Sequence, residues 1–347
     1  VFAPVVTLTG MKAEDRKRDV WPLYLIGALL ALAIVGAAAW AVELPYLAFG
    51  PGPVSDAARS VVAEGVETHP PHGELLTLTV VSQDVSIFEA LIASFDPTID
   101  LVDKRRVRRE GETDEQHRNR VLQQMDDSNH RSILVALAHL DIEMVPTEVV
   151  INEIVPGVQA EAVLKPGDGI VAVNDVPVKR VAEIRSLTEG LSVGDTLGIT
   201  VRRDGATRDV EVTLAEREDE PGAAMIGVVL GELTAPPFPL DIRAGDVGGP
   251  SAGMIHALAV IDTLTEGELT GGHVIAGTGT IGVDGSVGSI GGVRQKVVGA
   301  EAAGASHILV PTDNYETALT AERESIEIVP VAHIEDALEF LETLEAA

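Results

Sequence analysis

The stretch VWPLYLIGALLALAIVGAAAWAV, residues 20–42, contains no charged residue. About 20 apolar residues in a helix cross the hydrocarbon core of a bilayer, so this segment is long enough to span one. Trp21, Tyr24, Trp40 and Tyr46 lie near its two ends, where aromatic rings favour the membrane interface. Lys12, Arg16, Lys17 and Arg18 precede it, whereas the residues from 43 to 57 include Glu43 and Asp56 and no base. Basic flanks stay on the cytoplasmic side. The expectation is a cytoplasmic segment over 1–19, a transmembrane helix over 20–42 and an extracytoplasmic remainder, held in the cell membrane by a single pass. A cleaved signal peptide ending near AAAWA is the alternative, although signal cores are shorter, about 7–15 residues. The chain opens on Val, and Met11 is a candidate start.

Charge narrows the choice of partners. There are 25 Lys and Arg against 54 Asp and Glu, a net −29, and a chain this acidic repels a phosphate backbone. Nucleic acid is therefore not an expected partner. The chain has no Cys, which excludes disulfides, thiolate metal sites and a thiol nucleophile. Its nine His are scattered without metal-ligand spacing, so no metal is expected.

Residues 43–145 read as a first extracytoplasmic region. GPGP at 50–53 is a rigid linker leaving the membrane, 76–81 a β-branched strand and 85–95 a helix. The run at 103–129 mixes both charges with little apolar content and reads as a solvated helix or mobile insert. Another helix is expected at 132–140. From 146 to 217 the order is strand, short helix, turn, strand, amphipathic helix and a hairpin about Asp204-Gly205. With LKPGDGIVAVNDVPV at its centre, this segment resembles a PDZ domain of the type attached to bacterial proteases. Such domains add an extended peptide to a sheet edge beside a helix. No clear carboxylate-binding loop is visible in it. Residues 221–347 alternate strands and helices as an α/β domain.

Inside that domain, GDVGGPSAGMIHAL at 245–258 places two glycines and a proline before Ser251, and an apolar helix is expected to begin on that serine. Ser251 can be a helix cap, its hydroxyl accepting from a first-turn N–H. It can instead be a nucleophile, because free N–H groups at a helix start suit an oxyanion. Residues 221–347 contain one lysine, Lys296, which follows two glycines near the start of a second helix. A helix N-terminus and apolar neighbours such as Val293 and Val297 favour its neutral amine, although a surface lysine with a buried stem is the simpler alternative. Together, Ser251 and Lys296 are the two parts of a Ser–Lys dyad.

GGPSAG at 248–253, IAGTGTI at 275–281 and GSIGGVRQKVVGAEAAGASHILVP at 288–311 resemble the proteolytic domain of Lon proteases. The resemblance implies that Ser251 is the nucleophile, Lys296 the general base and Thr278 the threonine beside the lysine. Backbone near Gly249, Ala252 and Gly253 would hold the oxyanion and let substrate approach, as would Gly248. No GxxxxGK[ST] loop and no Gly-Lys pair occurs, so no phosphate cradle is expected. Membrane segment, PDZ domain and Lon-type domain in this order resemble the PDZ-containing, ATP-independent Lon-like serine proteases of bacteria. The implied fold is an α/β (α+β) Lon-type domain preceded by a PDZ domain and one N-terminal transmembrane helix. The implied partners are unfolded or membrane-associated protein substrates and copies of the chain in a hexameric ring, with no cofactor and no nucleotide. Two rivals stand beside this reading. One is a Ser-His-Asp hydrolase using His273 with Asp246 or Asp284, since His256 lies on the serine's own helix and points elsewhere. The other is a non-catalytic PDZ scaffold.

Overall fold

The structure, a computed structural model, describes residues 21–69, 72–245 and 248–344. The expected cytoplasmic segment, with Lys12, Arg16, Lys17 and Arg18, lies outside the described residues, as does Asp246. Helix α1 (Trp21–Ala41) covers the uncharged span. Its window Tyr24–Ala41 is long and apolar enough to cross a membrane, and none of it is buried against the rest of the chain.

Two sheets organise the chain beyond α1. The larger has the order β18-β17-β14-β3-β1-β4, built from β1 (Glu43–Asp56), β3 (Glu74–Ser86), β4 (Asp100–Asp103), β14 (Val274–Gly277), β17 (His307–Pro311) and β18 (Glu327–Val331). β14 runs parallel to both β17 and β3, whereas β1 is antiparallel to β3 and β4. The region 43–145 is therefore not a separate module. Its strands complete the sheet of the C-terminal α/β domain, because β3 carries Leu75, Leu76 and Leu78, all buried, beside β14.

GPGP is likewise not a free linker. It lies within β1, where Gly50 pairs with Val81 and Pro51 with Val80. Proline is tolerated there because β4 pairs only as far as Phe49, which leaves the other side of β1 beyond Phe49 as an edge that needs no N–H.

The second sheet has the order β12-β5-β6-β8-β9, with β7 beside β6. It comprises β5 (Val145–Ile154), β6 (Gly169–Val173), β7 (Val176–Pro177), β8 (Thr196–Arg203), β9 (Ala206–Thr213) and β12 (Val228–Ala235). The β8–β9 hairpin turns at Asp204 (φ 52°) and Gly205 (φ 78°), the two positive φ values of a type I′ turn. β12 corrects the boundary expected at 217–221: it pairs antiparallel with β5 from Val228 to Ala235 and closes the PDZ sheet rather than opening the C-terminal domain. Helix α4 (Val181–Thr188) covers this sheet through Ile184. Three small pairs complete the strands: β10 (Ala215–Glu216) with β11 (Ala224–Met225), β2 (Val61–Ala63) with β13 (Leu240–Ile242), and β15 (Thr280–Ile281) with β16 (Val287–Gly288).

The charged run does not form a loose insert. α2 (Ile87–Ala93) is followed by α3 (Asp114–His139), one continuous helix that takes in the helix expected at 132–140. Thr113 and Gln116 form a capping box at its start. Its charged N-terminal half faces outward, while Met125, Ile133, Val135, Ala136 and Leu137 are buried and join one core with α5 (Gly253–Leu264). α6 (Val293–Ala302), α7 (Tyr315–Ala318) and α8 (Ile334–Glu342) finish the domain.

The PDZ core depends on one buried ion pair. Arg203 donates from Nε and from an Nη to the Asp168 carboxylate, at 2.6 Å each, and Asp168 is 1% exposed. Burial alone would raise the Asp168 pKa, but the Arg203 guanidinium and the Lys165 N–H outweigh it and hold the carboxyl below its ordinary value. Arg203→Ala strands that charge and is expected to cost about 3–5 kcal/mol. Replacing both partners, Asp168→Leu with Arg203→Met, is expected to cost far less. Hydrogen exchange of β6 and β8 amides measures both, and equal losses would contradict this account.

Candidate active site

The turn before α5 is held in shape by glycines and by α3. Gly249 has φ +94°, a conformation that side chains disfavour, and its N–H donates to Val121 O at 2.8 Å. A Cβ on Gly248 would meet the Val121 side chain at 2.7 Å, and one on Gly253 would meet Ser128 Oγ at 2.7 Å and Ile281 at 2.8 Å. Ser128 Oγ donates to Pro250 O at 3.1 Å, and Ser132 Oγ donates to Gly253 O at 2.8 Å. Three side chains of α3 thus clamp the Ser251 turn, two of them, Val121 and Ser128, from the run at 103–129 that reads as solvated in sequence. Gly248 and Gly253 leave room for the Val121 and Ser128 side chains, and the Gly253 N–H donates to Pro250 O.

Helix α5 begins two residues after Ser251. Its N-cap is Ala252, with no side-chain cap bond, so the cap alternative for the Ser251 hydroxyl does not hold. That hydroxyl instead lies 2.8 Å from Lys296 Nζ. Lys296 Nζ also donates to Thr278 Oγ1 at 2.8 Å. Thr278 Oγ1 in turn donates to Ser251 O at 3.0 Å, and Gly279 N–H donates to the same carbonyl at 2.8 Å. Ser251, Thr278 and Lys296 therefore form one closed network. Ser251 is half-buried, and Thr278 and Lys296 are buried.

Lys296 reaches this point from the first turn of α6, which starts after Gly292 at φ +67°. Its side chain is 2% exposed, and among the described residues no carboxylate forms a salt bridge with it. Burial pushes its pKa down from 10.5 to about 7, since an ammonium loses its hydration there with no counter-charge in exchange. Among the described residues neither the Ser251 nor the Ala252 N–H has an acceptor, and an unpaired N–H is able to donate to an anion.

Among the described residues no histidine is brought to Ser251, and the pairing of His273 with Asp246 lies outside them. His256 is buried on α5 against Asn129 Oδ1 at 2.8 Å, and burial lowers its pKa to about 4. His273 stacks edge-on near His307, with ring centroids 6.2 Å apart. Asp284 bonds Ser286. No histidine bonds Ser251 among the described residues.

A second concave feature lies on the PDZ sheet. β12 is its outer strand, and Val228 and Leu230 face α4 across a cavity of about 400 Å³ that Val181, Ile184, Arg185 and Thr188 also line. Glu232, two residues further along β12, caps the start of α4 by accepting from the Val181 N–H at 2.6 Å. Sequence reasoning missed this groove because its strand comes after the hairpin rather than before it. IGVVL at 226–230 was the signal available.

Residues 243–343 match the family model of the Lon protease (S16) C-terminal proteolytic domain, and residues 122–214 match that of the PDZ domain. The chain carries a Lon-type proteolytic domain and a PDZ domain. Relatives of the Lon-type part include Lon protease of Clostridioides difficile (strain 630), 38% identical over 94 residues, which is 26% of this chain and 12% of that protein. Lon protease 1 of Sorangium cellulosum is 38% identical over 121 residues, 33% of this chain and 15% of that one. Archaeal Lon protease of Halobacterium salinarum is 35% identical over 97 residues, 27% and 14% of the two chains. The matched part thus spans only 12–15% of the length of these relatives. Among solved structures, the PDZ domain of the SdrC-like protein from Listeria monocytogenes aligns with 26% of this chain and 93% of its own at 22% identity, with a TM-score of 0.24.

A buried amine without a counter-charge is a burden on the fold of the Lon-type domain. Lys296→Met keeps the length and removes the ionisable group, and is expected to raise stability by about 0.5–2 kcal/mol at pH 7. The folded pKa lies below the unfolded one. The lysine's penalty therefore grows as pH falls from about 10.5 to about 7 and levels off below that. The gap between variant and wild type is expected to be widest at and below pH 7 and to close toward pH 10. Thermal unfolding across that range measures it, and a pH-independent gap would contradict the burial argument.

Proposed function

We propose that this chain is a serine endopeptidase that hydrolyses unfolded or membrane-associated proteins through Ser251 and Lys296. The observation that carries the reading is the 2.8 Å approach of a buried Lys296 amine to the half-buried Ser251 hydroxyl. In the neutral form the amine takes the hydroxyl proton as Ser251 Oγ attacks a peptide carbonyl. The N–H groups of Ser251 and Ala252 receive the oxyanion. The resulting ammonium gives its proton to the leaving amine as the C–N bond breaks. Water then attacks the acyl ester, again losing a proton to Lys296, and Ser251 leaves with its hydroxyl restored. Thr278 is a positioning residue: it fixes Nζ by accepting from it and fixes the Ser251 backbone by donating to its carbonyl.

The rest of the proposal draws on the remaining parts. α1 anchors the protein in the cell membrane, with the basic flank at Lys12, Arg16, Lys17 and Arg18 on the cytoplasmic side and both domains outside. The groove between β12 and α4 takes an extended substrate segment as an added strand. By its resemblance to ATP-independent Lon-like proteases the chain is proposed to cleave without nucleotide, with the Lon-type domain assembled as a hexameric ring.

The full chain in detergent micelles, incubated with casein and with a short fluorogenic peptide, tests the reading. Wild type is expected to cleave both without ATP. Ser251→Ala is expected to be inactive yet folded, at a cost of about 1–3 kcal/mol for the hydrogen bond that the buried Lys296 amine loses. Lys296→Arg is expected to be inactive because a guanidinium keeps its proton. Wild-type turnover is expected to rise with pH through about 7 as the amine becomes neutral. Turnover by Lys296→Arg near the wild-type rate would overturn the mechanism.

A further inference from the structure

α2 starts where α1 ends. The Ile87 N–H donates to Val42 O at 3.2 Å, directly after α1, and the rings of Trp40 and Phe88 lie 5.7 Å apart. If α1 crosses a bilayer with Trp40 at the interface, Phe88 is at the same level. Ile87, Phe88, Leu91 and Ile92 recur at the spacing of one helical face, Phe95 follows in the turn after α2, and all five are exposed, Phe95 at 82%. Ala90 and Ala93, on the opposite side, are the residues that pack onto the domain. A contiguous apolar patch of this kind is unusual on a surface meant for water.

The nearest strongly basic segment adjoins the same patch. In a chain of net charge −29, residues 104–109 read KRRVRR. β4, which leads into them, pairs with β1 just beyond α1, Tyr46 lying opposite Asp103. Lys104 Nζ bonds Asp84 at 2.6 Å, three residues before α2. Arg106 and Arg109 are exposed and enter no salt bridge among the described residues.

From these two observations we propose that α2 and the basic turn at 104–109 form a foot that rests on the bilayer, the apolar face entering the interface and the arginines meeting anionic lipid headgroups. The proposal rests on α1 being a membrane span. The foot is braced against the helix that carries Lys296: Arg294 bonds Asp100 at 2.5 Å and Pro97 O at 3.0 Å, and Gln295 Nε2 donates to Thr98 O at 3.2 Å. Lipid contact thus fixes the attitude of the candidate active site to the membrane, which suits substrates at the bilayer surface.

Because the chain has no Cys, single-cysteine variants of the full chain can carry an environment-sensitive fluorophore in vesicles containing doxyl-labelled lipid. The positions are Leu91→Cys and Phe95→Cys on the foot, Ile34→Cys within α1, and Leu319→Cys beside β18, at the opposite edge of the sheet. Quenching and a blue shift are expected at 34, 91 and 95 and not at 319. Quenching at 95 is expected to be stronger in phosphatidylglycerol than in phosphatidylcholine vesicles, and Arg106→Glu with Arg109→Glu is expected to remove that difference. Quenching at 34 without quenching at 91 and 95 would overturn the foot and leave the span standing. No quenching at 34 would sink the span and the foot with it. A blue shift at 91 that is insensitive to doxyl lipid and fades on dilution among empty vesicles would show that a second copy covers the patch, which also overturns the proposal. Equal quenching in both lipids would overturn the headgroup contact.

Discussion

Lys296 Nζ sits 2.8 Å from each of two hydroxyl groups and, among the described residues, beside no carboxylate. Everything near it is arranged so that an amine can be buried there neutral. A salt bridge would have kept it charged and useless as a base near pH 7, because an opposite charge raises a lysine pKa while desolvation lowers it. The two hydroxyls give it two hydrogen-bond partners without supplying that charge. Thr278 links the amine to the Ser251 carbonyl, so the position of the lysine and the shape of the serine turn are set by one network.

That network needs walls, and they come from distant parts of the chain. α3 supplies Val121, Ser128 and Ser132 to the turn before α5. β3 supplies the strand on which β14 lies, and β14 leads directly into Thr278. Both elements precede the PDZ domain, so the PDZ domain interrupts the α/β domain in sequence. The chain leaves α3, builds the second sheet from β5 to β12 and returns through β13. The two crossings fall at the same place, since β12 pairs with β5 along its whole length from Val145 to Ile154. Such a hinge lets the PDZ domain be inserted without disturbing the sheet that carries the site.

How much of this was legible in the sequence depended on whether the signal was local. Ser251, Thr278 and Lys296 sit in short motifs whose residue types announce their chemistry, and the structure brings all three together. The hairpin at Asp204-Gly205 was equally plain, because positive φ at both turn residues selects that dipeptide. What failed were inferences about partnership over long distances. GPGP read as a linker because nothing in four residues says that β4 stops at Phe49 and leaves an edge where proline is harmless. The charged run at 103–129 read as solvated because its apolar residues are few, yet Met125 and Ser128 are the ones turned inward. That Gly253 makes room for Ser128 Oγ, 125 positions earlier in the chain, was equally invisible in its motif. β12 was assigned to the wrong domain because a strand's sequence does not name its neighbour.

The account stands on the protonation state of one amine. Isotopic labelling of lysine side chains, with Lys296 assigned by comparison with Lys296→Met, allows its Nζ to be titrated by NMR in the full chain in micelles. The burial of an amine that has only hydroxyl partners predicts a midpoint near pH 7. It also predicts that Thr278→Ala, which leaves the burial in place, keeps the midpoint well below that of an exposed lysine. A midpoint close to 10.5 in the folded wild-type protein would mean that the amine is charged at working pH, and Lys296 could not then be the base that activates Ser251.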